Sequence, residues 1–104
     1  MKIVKVIYTA KSEFVEQNKM NIAMVMSELQ ELKRSGIFYH VCLGSDGKTF
    51  IHTAFFKSEE DQKLLNGLAS FKLFQDRLKS GGIEVPPKQE LLTPVGSSSN
   101  IFDR

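Results

Sequence analysis

Apolar residues recur along the first third of the chain with two different spacings, which predicts a strand followed by a helix. The segment from Lys2 to Ala10 is rich in Val, Ile and Tyr and roughly alternates in polarity, as strands do. Ser12 and Glu13 then supply a polar, acidic helix start, and Gly36 is expected to end the helix. Between them one apolar stripe runs at helical spacing and is widened by three methionines: Val15, Met20, Ile22, Met24, Val25, Met26, Leu29 and Leu32.

The last third of the chain predicts a second helix and a final strand. An acidic start at residues 58–61 precedes a second apolar stripe, which consists of Leu64, Leu68, Phe71, Phe74 and Leu78. Gly67 costs roughly 1 kcal/mol relative to Ala inside a helix, so we expect the helix to break near Ala69-Ser70 and to restart with Ser70 as its N-cap. Residues 89–95 are predicted to form the last strand. That strand should lie at a sheet edge because Pro94 cannot donate a ladder hydrogen bond.

The central segment, residues 37–56, predicts a hairpin that is apolar on both faces. Asp46 and Gly47 are expected to form a two-residue turn between its strands, and that register sets Val41 opposite His52. One face then carries Phe38, His40, Cys42, Ile51, Thr53 and Phe55. The other carries Ile37, Tyr39, Val41, Leu43, Phe50, His52, Ala54 and Phe56. A hairpin with one solvated side should alternate apolar with polar residues, so we expect helices to cover one face and a partner subunit or a ligand cavity the other.

The order of these elements is strand, helix, strand, strand, helix, strand. It predicts an α+β, ferredoxin-like βαββαβ fold, in which two helices cover one face of a four-stranded antiparallel sheet. At 104 residues the chain can bury one core with little surplus. We expect a single domain over residues 1–96 and a flexible C-terminal tail over residues 97–104.

Composition narrows the classes of function. The formal net charge is +2 and the Lys and Arg residues are scattered, so no nucleic-acid partner is expected. The longest apolar run near the N-terminus is too short for a signal peptide or a membrane span, so no membrane partner is expected. A single cysteine cannot form an internal disulfide, which makes a cytoplasmic location the expectation.

The candidate ligand-binding residues are four neighbours on the larger apolar hairpin face: Tyr39, Phe50, His52 and Phe56. A histidine, with its ordinary pKa of about 6.5, can orient a phenolic ligand or accept its proton when a tyrosine lies beside it. The alternative is a histidine whose nitrogens are satisfied by a backbone or cross-dimer hydrogen bond. The sequence assigns no catalytic residue.

The other hairpin face carries His40 and Cys42, two residues apart. This spacing suits a thiolate–imidazole pair, but no third group is available to orient it, so a buried structural cysteine is the favoured interpretation. A metal site needs three or four converging ligands. Because His40 and His52 lie on opposite faces, we expect no metal site.

The order of elements resembles the dimeric α/β-barrel superfamily, in which two ferredoxin-like subunits pack sheet to sheet. More narrowly, the run from Phe55-Phe-Lys-Ser-Glu-Glu60 to Ala69-Ser-Phe-Lys-Leu-Phe74 is similar to the antibiotic-biosynthesis-monooxygenase type. In that type a strand ends in an aromatic residue, an acidic helix start follows, and a small-residue break precedes an aromatic-rich helix. The resemblance implies a homodimer through the sheet face, a cavity on the face away from the helices and, in some relatives, oxygenation without a cofactor.

The sequence departs from the haem-degrading relatives, which rely on a Trp, on an Asn in the first strand and on a His in the second helix. This chain has no Trp, no Asn in residues 2–10 and no His after His52, so haem degradation is not expected. Polyketide-type oxygenases place an Asn, Trp or Tyr in the cavity, and only Tyr39, or else Tyr8, can take that part here. Two functions remain open. One is a cofactor-independent, monooxygenase-like enzyme acting on an aromatic or polyketide-like small molecule, and the other is a non-catalytic dimer that binds a small apolar ligand or is structural.

Overall fold

A computed structural model describes residues 1–102, and the elements follow the predicted order. The strands are β1 (Lys2–Ala10), β2 (Ile37–Leu43), β3 (Thr49–Phe56) and β4 (Ile83–Leu92). The helices are α1 (Val15–Leu32), which follows a 3₁₀ turn at Ser12–Phe14, then α2 (Glu59–Gly67) and α3 (Ala69–Lys79). Within residues 1–102, no helix is long and apolar enough to cross a membrane.

The four strands form one antiparallel sheet in the order β2-β3-β1-β4, which confirms the predicted α+β, ferredoxin-like fold. Val41 lies opposite His52, as the hairpin register predicted. The connection is longer than two residues, because the Gly44 amide closes the loop by donating to the Thr49 carbonyl at 2.7 Å. Gly47 adopts a φ of 75°, a left-handed conformation that favours glycine.

The core lies between one face of the sheet and the helices. Burial alternates along β3, and the buried set is the larger apolar face of the hairpin: Phe50, His52, Ala54 and Phe56. These side chains pack with apolar residues of all three helices, among them Val25, Leu65 and Phe74. The helices therefore cover the more apolar of the two predicted faces, because that face removes more surface from water.

Helix α1 differs from its prediction along its stripe and at both ends. Its buried residues are Val15, Asn18, Asn21 and Val25, whereas Met20 and Met24 are exposed. The Ser12 side chain does not cap the helix, which begins after the 3₁₀ turn. The helix ends at Leu32, four residues before the expected Gly36, because Lys33 adopts the left-handed conformation that terminates it. Two asparagines thus occupy positions where the apolar pattern predicted hydrophobic contact.

A break between the second and third helices is present, but it lies at Leu68 rather than near Ala69-Ser70. Helix α2 ends at Gly67, and the extended Leu68 separates it from α3. Ser58 and Asp61 form a capping box at the start of α2. The prediction that Ser70 caps the restarted helix is wrong. The Ser70 hydroxyl instead donates to Glu28 Oε1 on α1 at 2.6 Å and ties the two helices together.

Strand β4 is confirmed as an edge strand, but its predicted bounds are wrong. It begins at Ile83 and contains Pro86 and Pro87, while Pro94 lies beyond its end. The pairing with β1 is irregular between Lys88 and Val85, so the two prolines fall where the ladder is interrupted. An edge strand with a register shift tolerates residues that lack an amide hydrogen.

Candidate functional site

A cavity of about 400 Å³ opens between the helix-covered face of the sheet and helices α2 and α3. Three of the four predicted ligand residues, Tyr39, His52 and Phe56, line it. Phe50 lies behind it instead, with its ring stacked on Tyr8 at a centroid distance of 5.6 Å. The remaining apolar walls come from the sheet and from helices α2 and α3: Val4, Val6, Ala54, Leu65, Phe71, Phe74, Leu78 and Ile83.

The location of this cavity differs from the expectation that the resemblance gave. That expectation set the cavity on the sheet face away from the helices, whereas Tyr39 and His52 point towards Phe71 and Phe74 of α3. The physical reason is the break at Leu68, which turns the chain between two short helices. Two short helices do not seal the sheet as one long helix would, so space remains over the hairpin.

A chain of hydrogen bonds runs through the buried wall of the cavity. The Tyr39 hydroxyl lies 2.6 Å from His52 Nδ1, and the Tyr8 hydroxyl lies 2.7 Å from His52 Nε2. Asn18 Nδ2 donates to the Tyr8 hydroxyl at 2.8 Å. The chain connects β2, β3, β1 and α1 in that spatial order. The sequence predicted a site in which His52 and a tyrosine share one face. The structure adds two further residues, Tyr8 and Asn18, to this group of side chains.

The strands position these groups through their register. His52 on β3 lies between Val41 of β2 and Val6 of β1. Tyr39 and Tyr8 are two residues away from those partners on the neighbouring strands, so their side chains share the face of His52. Their rings reach the imidazole from opposite sides, with centroid distances of 5.8 Å for Tyr39 and 5.2 Å for Tyr8.

The chain of hydrogen bonds is electrically neutral at pH 7. Burial lowers the pKa of His52 to about 4, since the charged imidazolium loses its hydration. Burial also raises the pKa values of Tyr8 and Tyr39 above those of exposed phenols. Both imidazole nitrogens are engaged by phenols. The site therefore offers neutral hydrogen-bonding groups rather than a charged acid or a base with a pKa near 7.

Polar residues of the cavity lining come mainly from the helices α2 and α3 and from β4. They are Gln62, Asn66, Gln75, Lys79 and Gln89. The cavity thus has an apolar, aromatic interior and one wall of neutral hydrogen-bonding groups. The rest of its lining carries side-chain amides and the ammonium group of Lys79. Such a composition is typical of a binding site for a small, largely apolar molecule with a few polar atoms.

A second cavity, of about 380 Å³, lies between the C-terminal part of α1 and β2. Its walls include Leu29, Ile37, Phe38 and the aliphatic stem of Arg34, and Tyr39 lines it as well. Tyr39 therefore belongs to the walls of both cavities.

The histidine and cysteine of the opposite face do not join this site. His40 and Cys42 are exposed in the single chain, with Cys42 Sγ 3.7 Å from His40 Nδ1. Cys42 is exposed here because it lies on the sheet face that no helix covers. Its burial as a structural cysteine stays a prediction that depends on a partner subunit covering this face. No group of three or more His, Cys, Asp or Glu side chains within residues 1–102 is arranged to hold a metal ion.

Sequence reasoning missed Asn18 as a site residue and gave Tyr8 only as an alternative to Tyr39. Asn18 is fully buried, and a signal for it exists in the sequence. It lies three residues after Val15 and seven before Val25, within the apolar stripe of α1. A polar residue at such a position needs a buried partner. The partner, Tyr8, is adjacent only once the helix packs on the sheet.

Comparisons with known proteins bear on the fold. No model of a protein family matches the sequence, and no curated protein matches it. Solved structures do match. A candidate antibiotic biosynthesis monooxygenase from Nitrosomonas europaea is 16% identical, with a TM-score of 0.76 over 90% of this chain and 89% of that one. Another from Bacteroides thetaiotaomicron is 12% identical, with a TM-score of 0.78 over 95% and 93% of the two chains.

A third solved structure, a candidate antibiotic biosynthesis monooxygenase from Deinococcus radiodurans, is 16% identical with a TM-score of 0.73. It covers 96% of this chain and 97% of that one, so the likeness extends over almost the whole of both. At such identities the likeness concerns the fold. The chain shares the ferredoxin-like fold of these solved structures, which is the fold that the sequence resemblance predicted.

Proposed function

We propose that the protein binds a flat aromatic or polyketide-like molecule in the cavity beside Tyr39 and promotes its oxygenation by dioxygen without a cofactor. One observation carries the proposal: a buried chain of hydrogen bonds, from Asn18 through Tyr8 and His52, ends at a phenol on the wall of an open apolar cavity. Neutral donors at such a wall suit a ketone that becomes an enolate, because they stabilise negative charge as it develops on oxygen.

The protein's part in this reaction is to bind and orient the substrate and to stabilise its enolate. Phe71 and Phe74 supply aromatic surface against which a flat ring system can pack. The Tyr39 hydroxyl then holds the enolate oxygen. Since both nitrogens of His52 are engaged, the carbon-bound proton passes to water at the open side of the cavity. Dioxygen is the oxidant that attacks the enolate carbon.

The anthrone reaction gives a direct test. Anthrone and dioxygen form anthraquinone and water: one oxygen atom becomes the new carbonyl, and the other leaves with both hydrogens of the reacting methylene. We expect the protein to raise the rate of oxygen uptake, and the rate at which quinone absorbance appears, above the spontaneous rates. Tyr39→Phe should lower the protein-dependent rate about a hundredfold or more, because removing one donor to a developing oxyanion typically costs that much. A rate equal to the spontaneous one would refute the enzymatic proposal.

A second candidate function is binding without catalysis, and the low pKa of His52 favours it. A general base works best when its pKa lies near the working pH, whereas burial holds the pKa of His52 at about 4. This function predicts that anthrone binds without faster oxygen uptake. Dihydroanthracene, which has the same three-ring frame but no oxygen atom, should bind more weakly under either function because Tyr39 has no oxygen to contact.

We also propose a homodimer formed through the sheet face that the helices leave uncovered. That face carries Ile7, Ile51 and Phe55, all half-buried in the single chain. The rings of Phe38 and Phe55 approach each other there, with a centroid distance of 5.7 Å. We expect light scattering at micromolar concentration to give the mass of a dimer, and a monomeric mass would contradict this proposal. A cytoplasmic location and a domain that ends at residue 96 remain predictions from the sequence.

A further inference from the structure

We propose that Asn18 is a positioning residue that fixes His52 in the Nδ1–H tautomer and thereby directs the Tyr39 hydroxyl proton towards a ligand in the cavity. The effect on a ligand rests on the proposed function, whereas the effect on His52 does not. Asn18 does not line the cavity. It acts through Tyr8, the group between it and the imidazole.

The direction of the hydrogen bonds follows from the Asn18 end of the chain. Asn18 Nδ2 donates to the Tyr8 oxygen at 2.8 Å, so the hydroxyl proton of Tyr8 turns to its other neighbour, His52 Nε2, at 2.7 Å. A nitrogen that accepts carries no proton, which leaves the imidazole proton on Nδ1. That proton is donated to the Tyr39 oxygen at 2.6 Å. The Tyr39 proton is then free to point into the cavity.

A second pair of contacts supports the orientation of the Asn18 amide. Asn21 Oδ1 accepts from Arg77 Nη1 at 2.7 Å and from Gln17 Nε2 at 2.8 Å. Because a guanidinium group only donates, the oxygen of Asn21 must face Arg77 and its amide nitrogen must point away. The buried atoms without a protein partner are then Asn21 Nδ2, a donor, and Asn18 Oδ1, an acceptor.

These two unpaired atoms are complementary. Asn18 and Asn21 are three residues apart on α1 and therefore neighbours on one helix face. A single water can join such a donor and acceptor. If the Asn18 amide were reversed, both of the unpaired atoms would be amino groups, and neither could accept a hydrogen bond. The observed orientation of Asn18 is therefore the one its surroundings favour.

The direction of these hydrogen bonds decides what kind of ligand atom the cavity accepts. With His52 protonated at Nδ1, Tyr39 donates to a carbonyl or enolate oxygen. With the proton at Nε2, Tyr39 would donate to the imidazole and present only lone pairs to the cavity. The same four side chains would then favour a ligand that donates, such as a phenol. Asn18 thus selects between two classes of ligand without touching either.

Nitrogen NMR of the histidine ring tests this proposal on the ligand-free protein. Long-range proton–nitrogen correlations distinguish a protonated ring nitrogen from an unprotonated one, and His40→Gln removes the second histidine. At pH 7.5 we expect the His52 signals of a single neutral tautomer with the proton on Nδ1. Asn18→Leu should shift the ring to a mixture of tautomers or to Nε2–H. Tyr8→Phe breaks the next link and should remove the Nδ1–H preference as well.

A stability control separates positioning from a structural role. Val25→Ala, on the same helix, removes buried apolar volume and no polar group. It should lower the melting temperature and leave the tautomer unchanged. An Nε2–H tautomer in the otherwise unaltered protein would overturn the proposal, whether or not Asn18→Leu folds. An unchanged Nδ1–H tautomer in folded Asn18→Leu would overturn it too, since Asn18 would then only fill space.

Anthrone titration distinguishes this proposal from the proposed function. If both hold, Asn18→Leu weakens anthrone binding about tenfold, and binding of dihydroanthracene is unchanged. If the tautomer shifts as expected but the protein with Asn18 intact does not bind anthrone, the proposed function fails while the control of His52 by Asn18 stands. If anthrone binds the Asn18→Leu variant as tightly as the protein with Asn18 intact, the effect on the ligand is refuted.

Discussion

Acidification from pH 7.5 to pH 4.5 should destabilise the protein through His52. Burial lowers the pKa of this imidazole in the folded chain to about 4, whereas in the unfolded chain it should titrate near its ordinary value of 6.5. Between these values the unfolded state binds a proton that the folded state does not. The free energy of unfolding therefore falls as the pH falls.

The size of this effect follows from the two pKa values. The linkage relation gives a loss of roughly 1.4 kcal/mol at pH 5.5 and roughly 2.5 kcal/mol at pH 4.5, relative to pH 7.5. The matched control is His52→Gln, which keeps a donor and an acceptor between Tyr8 and Tyr39 but does not titrate. The exposed His40 and all carboxylates are present in both proteins, so the difference between the two proteins isolates His52.

Urea denaturation at intervals of one pH unit measures the effect. The free energy of unfolding of the protein with His52 should fall faster than that of His52→Gln between pH 6.5 and pH 4.5. Below that range carboxylates add their own loss. Burial alone would raise the pKa of Asp61, but hydrogen bonds from Arg34 and Ser58 outweigh it and lower the pKa. Parallel curves for the two proteins above pH 4.5 would refute the reasoning about His52.

Other substitutions test the packing. Phe56→Asp should unfold the chain or cost more than about 4 kcal/mol in urea denaturation, because it buries a carboxylate in the core. Phe55→Asp, on the uncovered face, should instead lower the mass measured by light scattering and leave the fold of the monomer intact. Equal melting temperatures for the two variants would contradict this assignment of faces. Gly36→Ala should cost about 1–3 kcal/mol, because its methyl group would meet the Asp61 carboxylate. Gly67→Ala, which meets nothing, should be neutral or stabilising, and similar melting temperatures for these two alanine variants would argue against the close approach. Asp61→Ala removes the capping box of α2 and should cost at least about 1 kcal/mol by chemical denaturation, and an unchanged midpoint would show that the cap contributes nothing.

The fold was predictable because the apolar periods, the turn residues and the helix starts agree with one another. The hairpin register was predictable as well, because residues that favour turns occur at one point between two apolar runs. The bounds of β4 were not predictable in the same way. Pro86 and Pro87 argue against a strand when they are considered alone, and only the irregular pairing with β1 makes room for them.

The candidate site was predictable only in part, for a different physical reason. Tyr39 and His52 share a hairpin face, and local register is enough to bring them together. Tyr8 and Asn18 join them through contacts between elements that are distant in sequence, across β1 and α1. Helical spacing places Asn18 on the buried stripe, but it does not say which strand residue that stripe meets. The choice of the face that the helices cover likewise depends on tertiary packing.

Tyr39 lies between two cavities, since it lines both the one over the hairpin and the second one between α1 and β2. The length of molecule that fits inside is therefore limited by one side chain rather than by the backbone. A small residue at this position should therefore bring the two cavities together and lengthen the space that a ligand can occupy. Among chains of this fold, the residue at this point of the second strand should then separate those that accept compact ring systems from those that accept elongated ones.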